Sequence, residues 1–431
     1  MSLPDPRTET HTLLGAQLVF NIGFYAVIPF LAGAMGTEYG LDAAAIGLVL
    51  GARTFSQQGM FLFGGLLADR WGARRAILTG CLVRILGYAT LAAAADFPLF
   101  LLGAVLTGAG GALFSPALES QLSHADRPPA GGPGAGGRRS VFVWLAITGE
   151  LGAVLGPVLG TALLGWGFDA ALAAGIAVFT VVTVLLWFRL PRGRPPRGRD
   201  GAGTGAPGPA LECLRNRGFV VFCVLAGTNM LAYHQLYFTV PVDLDRRGLD
   251  AAWLGALFLL ASVLTLLLQL PVSGLGRRLG PGRALSTGFL LVAAAFGIAA
   301  VTSVPAGTPG SSVLPVMATV AVLILGHMLL TPTILSLIPG FLPSPGAVAG
   351  RGAYYGLAAT CGGVTVLVGN AGLGALLELT TRHQWWPGTP WLPPALLALL
   401  AAAALPIVLR GHGADRPTGP AAAAAPSRRS S

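Results

Sequence analysis

Twelve apolar runs, each long enough to cross a lipid bilayer, constrain this chain more than any other feature. They fall near residues 12–36, 44–68, 76–95, 97–120, 141–165, 170–189, 217–240, 251–275, 284–303, 313–338, 352–378 and 391–410. A helical span needs about 20 apolar residues. Lipid offers no partner to a backbone N–H or C=O, and an open strand edge cannot be satisfied there, so each run must be a helix. The expected fold class is an all-α polytopic membrane protein with twelve transmembrane helices. Glycine and proline are frequent inside the runs, as membrane helices tolerate when small residues let backbones pack closely.

Composition matters here for what it excludes. Only 10% of the residues are charged and 54% are hydrophobic, whereas a soluble domain carries about a quarter charged residues. A net charge of +10 in a soluble chain would point to nucleic acid. Here the basic residues are all arginine, and their placement follows the spans, so no nucleic-acid partner is expected. Without lysine there is no phosphate-binding Gly-rich loop ending in Lys-Ser/Thr. Cys81, Cys213, Cys223 and Cys361 are scattered, with no metal or disulfide spacing. Paired metal-ligand histidines are also missing. No cofactor and no metal are expected, and the chain does not read as an enzyme. The first run is too long for a signal-peptide core and reads as the first span.

The longest polar interruption, 190–216, is rich in Arg, Gly and Pro and divides the spans six and six. It reads as a flexible linker between two helical bundles, 12–189 and 217–410. Residues 1–11 precede the first bundle. The tail 411–431 is expected to be disordered, and 128–137 to be a second flexible loop. With the N-terminus in the cytoplasm, 22 of 27 arginines lie on the inner side, three outside (Arg246, Arg247, Arg382) and two within spans (Arg53, Arg84). That asymmetry obeys the positive-inside rule, and all eight tryptophans fall at span ends, where an aromatic belt sits. Both termini are therefore expected in the cytoplasm. A weak internal repeat appears on shifting by 208 residues, which lays Arg277–Arg283 over Asp69–Arg75.

Between the second and third runs lies Gly65-Leu66-Leu67-Ala68-Asp69-Arg70-Trp71-Gly72-Ala73-Arg74-Arg75. So tight a membrane turn needs glycine where backbones approach, and its charges must stand outside the hydrocarbon. A carboxylate at Asp69 can accept from a helix N-terminus or pair with an arginine in one conformation and release it in another. Gly65, Asp69, Arg70, Gly72, Arg74 and Arg75 are the expected gating loop; the alternative is a purely topological role. The fifth run carries Gly152-x-x-x-Gly156-Pro157-x-x-Gly160. Glycines four apart make a flat stripe for close helix contact, and a helix-interior proline frees a carbonyl and kinks the helix.

These motifs resemble the loop and fifth-helix signatures of the major facilitator superfamily. The segment Gly51–Gly59, with the Asp69 loop and Arg84-Ile85-Leu86-Gly87-Tyr88, resembles the branch of bacterial drug:proton antiporters of the multidrug-resistance type. The chain departs from the pattern at Ala73, where the family often has a base, and at Ala104, where its antiporters often carry an arginine. The resemblance implies two six-helix bundles around a central cavity, rocking-type alternating access, and spans one, four, seven and ten lining the cavity. On this chain those spans offer Asn21, Phe24, Tyr25, Phe114, Asn229, Tyr233, His234 and His327 as substrate-cavity candidates.

Ionisable groups at mid-membrane depth are functional candidates by default. Arg53, Arg84 and Glu150 lie roughly 12–15 Å from an end of their spans at 1.5 Å per residue, and His234 and His327 are similarly deep. All five are proton-coupling candidates. Glu150 leads because it is the one carboxylate near mid-depth; a permanent Arg–Glu structural pair is the competing reading. For the two histidines, a satisfied core role competes with proton transfer. The expected function is proton-coupled export of amphipathic small molecules by a monomer in the cell inner membrane, with protons and lipid as its other partners. The alternatives are a transporter of a defined metabolite (sugar, amino acid or organic acid) and a non-transporting receptor or scaffold on the same fold.

Overall fold

The computed structural model describes residues 6–61, 67, 71–125, 141–190, 213–305, 312–342 and 351–411. Gly65, Asp69 and Arg70 of the expected gating loop, the 128–137 loop, linker residues 191–212 and the tail beyond 411 lie outside them. Among the described residues every regular element is helical. The main helices are α1 (Pro6–Thr37), α2 (Ala43–Gln58), α3 (Ala73–Ala92), α4 (Phe97–Ala125), α5 (Val141–Leu164) and α6 (Phe168–Arg189). After the linker come α7 (Arg217–His234), α8 (Ala252–Leu279), α9 (Pro281–Thr302), α10 (Leu314–Leu337), α11 (Arg351–Arg382) and α12 (Leu392–Gly411). Eleven helices of the described residues are long and apolar enough to span a membrane. The second expected run is occupied by α2, described over 16 residues. The chain is an all-α polytopic protein of two six-helix bundles.

Local chemistry sets the helix ends. Asp42 caps α2 by accepting from the Ala45 N–H at 2.7 Å, and Asn216 caps α7 by accepting from Phe219 N–H at 3.1 Å. Gly72 before α3 and Gly280 before α9 both take left-handed φ, +86° and +76°, a conformation costly for any residue with a Cβ. These two glycines are 208 residues apart, the shift of the sequence repeat.

The seventh span corrects an expectation. The run was expected to end near residue 240, leaving Asp243, Arg246 and Arg247 in a loop. Instead α7 continues through a 3-10 turn (Gln235–Tyr237) into a further helix (Thr239–Arg246). An i,i+4 pair holds this extension: Arg247 donates to Asp243 at 2.8 Å, and both are buried. Arg247 also donates to the Thr302 carbonyl at 2.7 Å, tying the end of α7 to the end of α9.

The repeat that is faint in the sequence is complete in the packing. In the first half α1 packs on α5 and α6, α2 on α4, and α3 on α4 and α6; in the second α7 packs on α11 and α12, α8 on α10, and α9 on α10 and α12. The same glycine device recurs. A Cβ at Gly80 would meet the Gly110 carbonyl oxygen at 2.8 Å, and a Cβ at Gly326 would meet the Gly288 carbonyl oxygen at 2.8 Å. Each half thus brings its third and fourth helices to backbone contact through a glycine pair.

Two symmetric seams join the halves, α2 with α11 and α5 with α8. Along the first, Gly47 lies against the Asn370 carbonyl, Gly51 against Leu367, and Gly363 against Gln58 and Gly59. Along the second, Gly255 lies against Thr161 and Pro157. Ala43, against Gly374, marks the face at which α1 ends and α2 begins. A crevice of about 210 Å³ opens between the halves near that face, lined by Phe30, Thr37, Leu164, Pro241 and Leu254 among others.

Candidate functional site

The glycine stripe of α5 places Glu150. A Cβ at Gly152 would collide with Asn21, at Gly156 with Tyr25, and at Gly160 with Ala26 and Phe30. All four partners lie on α1, so the stripe is the surface on which α1 and α5 come to backbone contact. Pro157 sits within it, and its carbonyl faces Gly255 of α8 at the seam. Glu150, half-buried, stands at the start of the stripe and within electrostatic range of the Tyr25 and Tyr233 phenols.

Aromatic side chains from four helices converge there. Tyr25 of α1 meets Phe258 of α8 edge-on at 6.4 Å, and Phe258 lies 5.2 Å from Tyr237 at the α7 extension. Tyr233 is 6.1 Å from Tyr237 and stacks on His327 of α10 at 4.4 Å. The phenol groups of Tyr25, Tyr233 and Tyr237 lie within interaction range of one another. Phe24 packs on Tyr25 at 4.9 Å. The site therefore sits between the bundles and draws on both.

The two histidines are held differently. His327 Nδ1 lies 3.1 Å from Asn229 Oδ1, and the Asn229 amide donates to Thr331 Oγ1 at 3.1 Å. His234 Nδ1 donates to the Met230 carbonyl of its own helix at 2.8 Å. His327 thus belongs to a polar network crossing from α7 to α10, whereas His234 is tied to the helix that carries it.

Arg53 and Arg84 are nearly inaccessible, at 4% and 1% exposure. Arg53 donates to Gln57 Oε1 at 2.6 Å and lies 4.7 Å from the Phe24 ring centre. Arg84 donates to the Thr107 carbonyl at 3.1 and 3.2 Å and lies 4.2 Å from the Phe20 ring centre. Among the described residues, the ion pairs are Arg247–Asp243 and Arg382–Glu378. The permanent Arg–Glu pair entertained for Glu150 does not form in this conformation.

One cavity candidate lies in the bundle core in this structure. Phe114 is fully buried and stacks on Phe20 at 3.9 Å, inside the first bundle. It faces inward because α4 packs against α2 and α3, and a ring that reaches Phe20 of α1 lies in the bundle core. Asn21 lies under the α5 stripe, in α1–α5 packing. Of the gating loop, Gly72 supplies the left-handed turn, and Arg74 donates to the Trp187 carbonyl at 2.7 Å with its guanidinium over that indole. That contact ties α3 to α6 within one bundle. Arg75 is exposed.

Sequence reasoning missed Tyr237, Phe258 and Gln57. Tyr237 and Gln57 each lie four residues beyond a named candidate, Tyr233 and Arg53, and so on the same helix face. Phe258 belongs to α8, outside the four helices expected to line the cavity.

The profile of the Major Facilitator Superfamily matches residues 13–370 of this chain. The protein belongs to the Major Facilitator Superfamily. An uncharacterised MFS-type transporter of Mycobacterium tuberculosis is 33% identical over 381 residues, 86% of this chain and 87% of that protein. The multidrug resistance protein MdtH of Aeromonas salmonicida is 28% identical over 399 residues, 90% of this chain and 91% of that one. Among solved structures, an auto-inhibited POT family peptide transporter superposes with a TM-score of 0.75 at 18% identity, covering 93% of this chain and 96% of its own. PepTSo, another POT family transporter, gives 0.74 at 16% identity, covering 96% and 100%. At those identities the structures attest the shared fold alone. This superfamily member is a multi-pass membrane transporter.

Proposed function

We propose that the protein exports amphipathic small molecules across the bacterial inner membrane in exchange for protons, by alternating access. The observation that carries this reading is the aromatic cluster of Tyr25, Tyr233, Tyr237 and Phe258 at the bundle interface, with the half-buried carboxylate of Glu150 within electrostatic range of it. Aromatic faces bind apolar bodies of varied shape with few directional demands. A carboxylate whose solvation changes between conformations binds and releases a proton across the cycle. The likeness to MdtH supports the same reading.

The moving units are residues 12–189 and 217–410, joined by the 190–216 linker, with both termini in the cytoplasm. The α2–α11 and α5–α8 seams reach the face at which α1 ends, the outer face in this topology, which supports a state in which the halves are held together on that side. Rocking about the seams exchanges this state for one open outward. Asp69, with the rest of its loop, acts as the inner-face latch. The protein works as a monomer.

The test is energised transport in inverted membrane vesicles holding the full chain. Amphipathic dyes should accumulate when respiration acidifies the lumen, and collapse of the pH gradient by nigericin should release them. Accumulation unaffected by nigericin would contradict proton exchange; accumulation of no dye would contradict export of this class.

A further inference from the structure

We propose that the transported molecule carries an acidic group, carboxylate or sulfonate, which binds at Arg53 while its apolar body lies on the aromatic cluster. The inference rests on the export reading above and names the class of molecule within it. Two fixed charges stand beside the interbundle aromatic cluster, both over the Phe24 ring. Arg53 and Arg84 are permanent cations, since guanidinium does not lose its proton in proteins. Glu150 is the sole carboxylate among the described residues that lies within electrostatic range of the cavity phenols, and it pairs with neither arginine. The site therefore carries a net positive charge whether or not Glu150 is ionised.

Neither arginine is fully used by the protein. Arg53 Nε and Arg84 Nη1 are buried without a hydrogen-bond partner. A buried charge left uncompensated is costly, and such groups are usually paired with an opposite charge. Here aromatic faces and neutral oxygens substitute in part. The Phe24 ring is shared, 4.7 Å from the Arg53 guanidinium and 5.5 Å from that of Arg84, and Phe179 lies 5.4 Å from Arg84. A cation–π contact holds a cation without neutralising it.

Arg53 also has the right position. It lies within electrostatic range of Tyr25, Tyr237 and His234, groups of the interbundle aromatic site. Arg84 is set deeper, against Phe20 and Thr107, and adds to the positive potential from behind. Phe24 and Tyr25 are neighbours on α1, so the step from the Arg53 guanidinium to the aromatic cluster is one residue long. An amphipathic anion fits this layout: an acidic head at Arg53, with charge-assisted hydrogen bonds, and an apolar body against Tyr25 and Phe258.

A matched pair of probes tests this, 1-naphthylacetate and 1-naphthylmethylammonium, which share a ring system and differ in charge. Radiolabelled probes are followed in proteoliposomes of the full-length protein with an imposed pH gradient. The wild type should move the anion about tenfold or more faster than the cation, as one charge-assisted hydrogen bond commonly sets. Arg53→Gln should lose that preference through the anion rate, with the cation rate changed less than about twofold, and Arg53→Lys should restore part of it. A merely structural arginine would lower both rates together. Movement of the cation alone would overturn the proposal and leave the export reading intact. Movement of neither probe would overturn both. An unchanged anion preference in Arg53→Gln would overturn Arg53 as its source, and should that variant not fold, the wild-type preference and Arg53→Lys still decide.

Discussion

At the residue scale, the division between core and cavity can be tested directly. Phe114 is a core ring stacked on Phe20, so Phe114→Ala should lower stability by about 3 kcal/mol. It should do so without changing substrate selectivity among molecules that still fold, as read by thermal denaturation and transport on the same samples. A selectivity change at unaltered stability would return Phe114 to the cavity. Glu150 makes the opposite prediction. Glu150→Gln keeps size and hydrogen-bonding capacity but holds the group neutral. It should abolish gradient-driven export while substrate binding, followed by tryptophan fluorescence, survives within about threefold, a change worth less than 1 kcal/mol. Loss of binding in parallel with export would make Glu150 a substrate contact instead of a coupler.

At the element scale, glycines divide into those that build a bundle and those that join the two. Gly156 lies where a side chain would collide with Tyr25 inside one bundle. Gly156→Leu forces α5 away from α1 and should cost about 1–3 kcal/mol or prevent folding, seen as loss of a monodisperse peak on gel filtration. Gly47 lies at the seam, against the Asn370 carbonyl. Gly47→Val should leave each bundle folded and oppose closure of α2 on α11. In a cysteine-free background, Ala43→Cys should then label faster with an impermeant maleimide; an unchanged rate would show that the seam does not limit access.

Much of this layer was legible in the sequence, because a glycine stripe with an internal proline admits few packings. The Gly152–Gly160 stripe meets a neighbouring helix as spacing implied, although spacing alone could not say that the neighbour is α1. The helical extension past residue 240 was not legible. Its cause is a buried Asp243–Arg247 pair, and those residues read as loop charges until their burial is known. Phe258 was missed for a similar reason, since which face of α8 turns inward depends on the α5–α8 seam. The repeat was faint in sequence because side chains diverge freely in lipid, whereas Gly72 and Gly280 persist where the backbone admits no Cβ.

At the scale of the whole molecule, arginine placement predicts both termini in the cytoplasm. A single cysteine placed at residue 200, in the linker, should be labelled by an impermeant reagent in inverted vesicles and not in intact cells. Labelling from outside intact cells would reverse the topology. The resemblance read from the Gly65–Arg75 loop led to the right superfamily, which the profile over residues 13–370 establishes on other grounds. The proposed cargo site was less legible, because its side chains come from α1, α2, α7 and α8 and meet only once the bundles are assembled.

In the proposed exchange, proton movement and substrate movement are one cycle. The most direct measurement uses proteoliposomes containing the full chain, an internal pH dye and no imposed pH gradient. An outward gradient of a transported amphipathic molecule, with valinomycin and potassium clamping the membrane potential, should drive protons inward and acidify the lumen. Glu150→Gln should abolish that acidification. Outward substrate flux in the wild type with no change in internal pH would contradict proton exchange, leaving a facilitator in place of an antiporter.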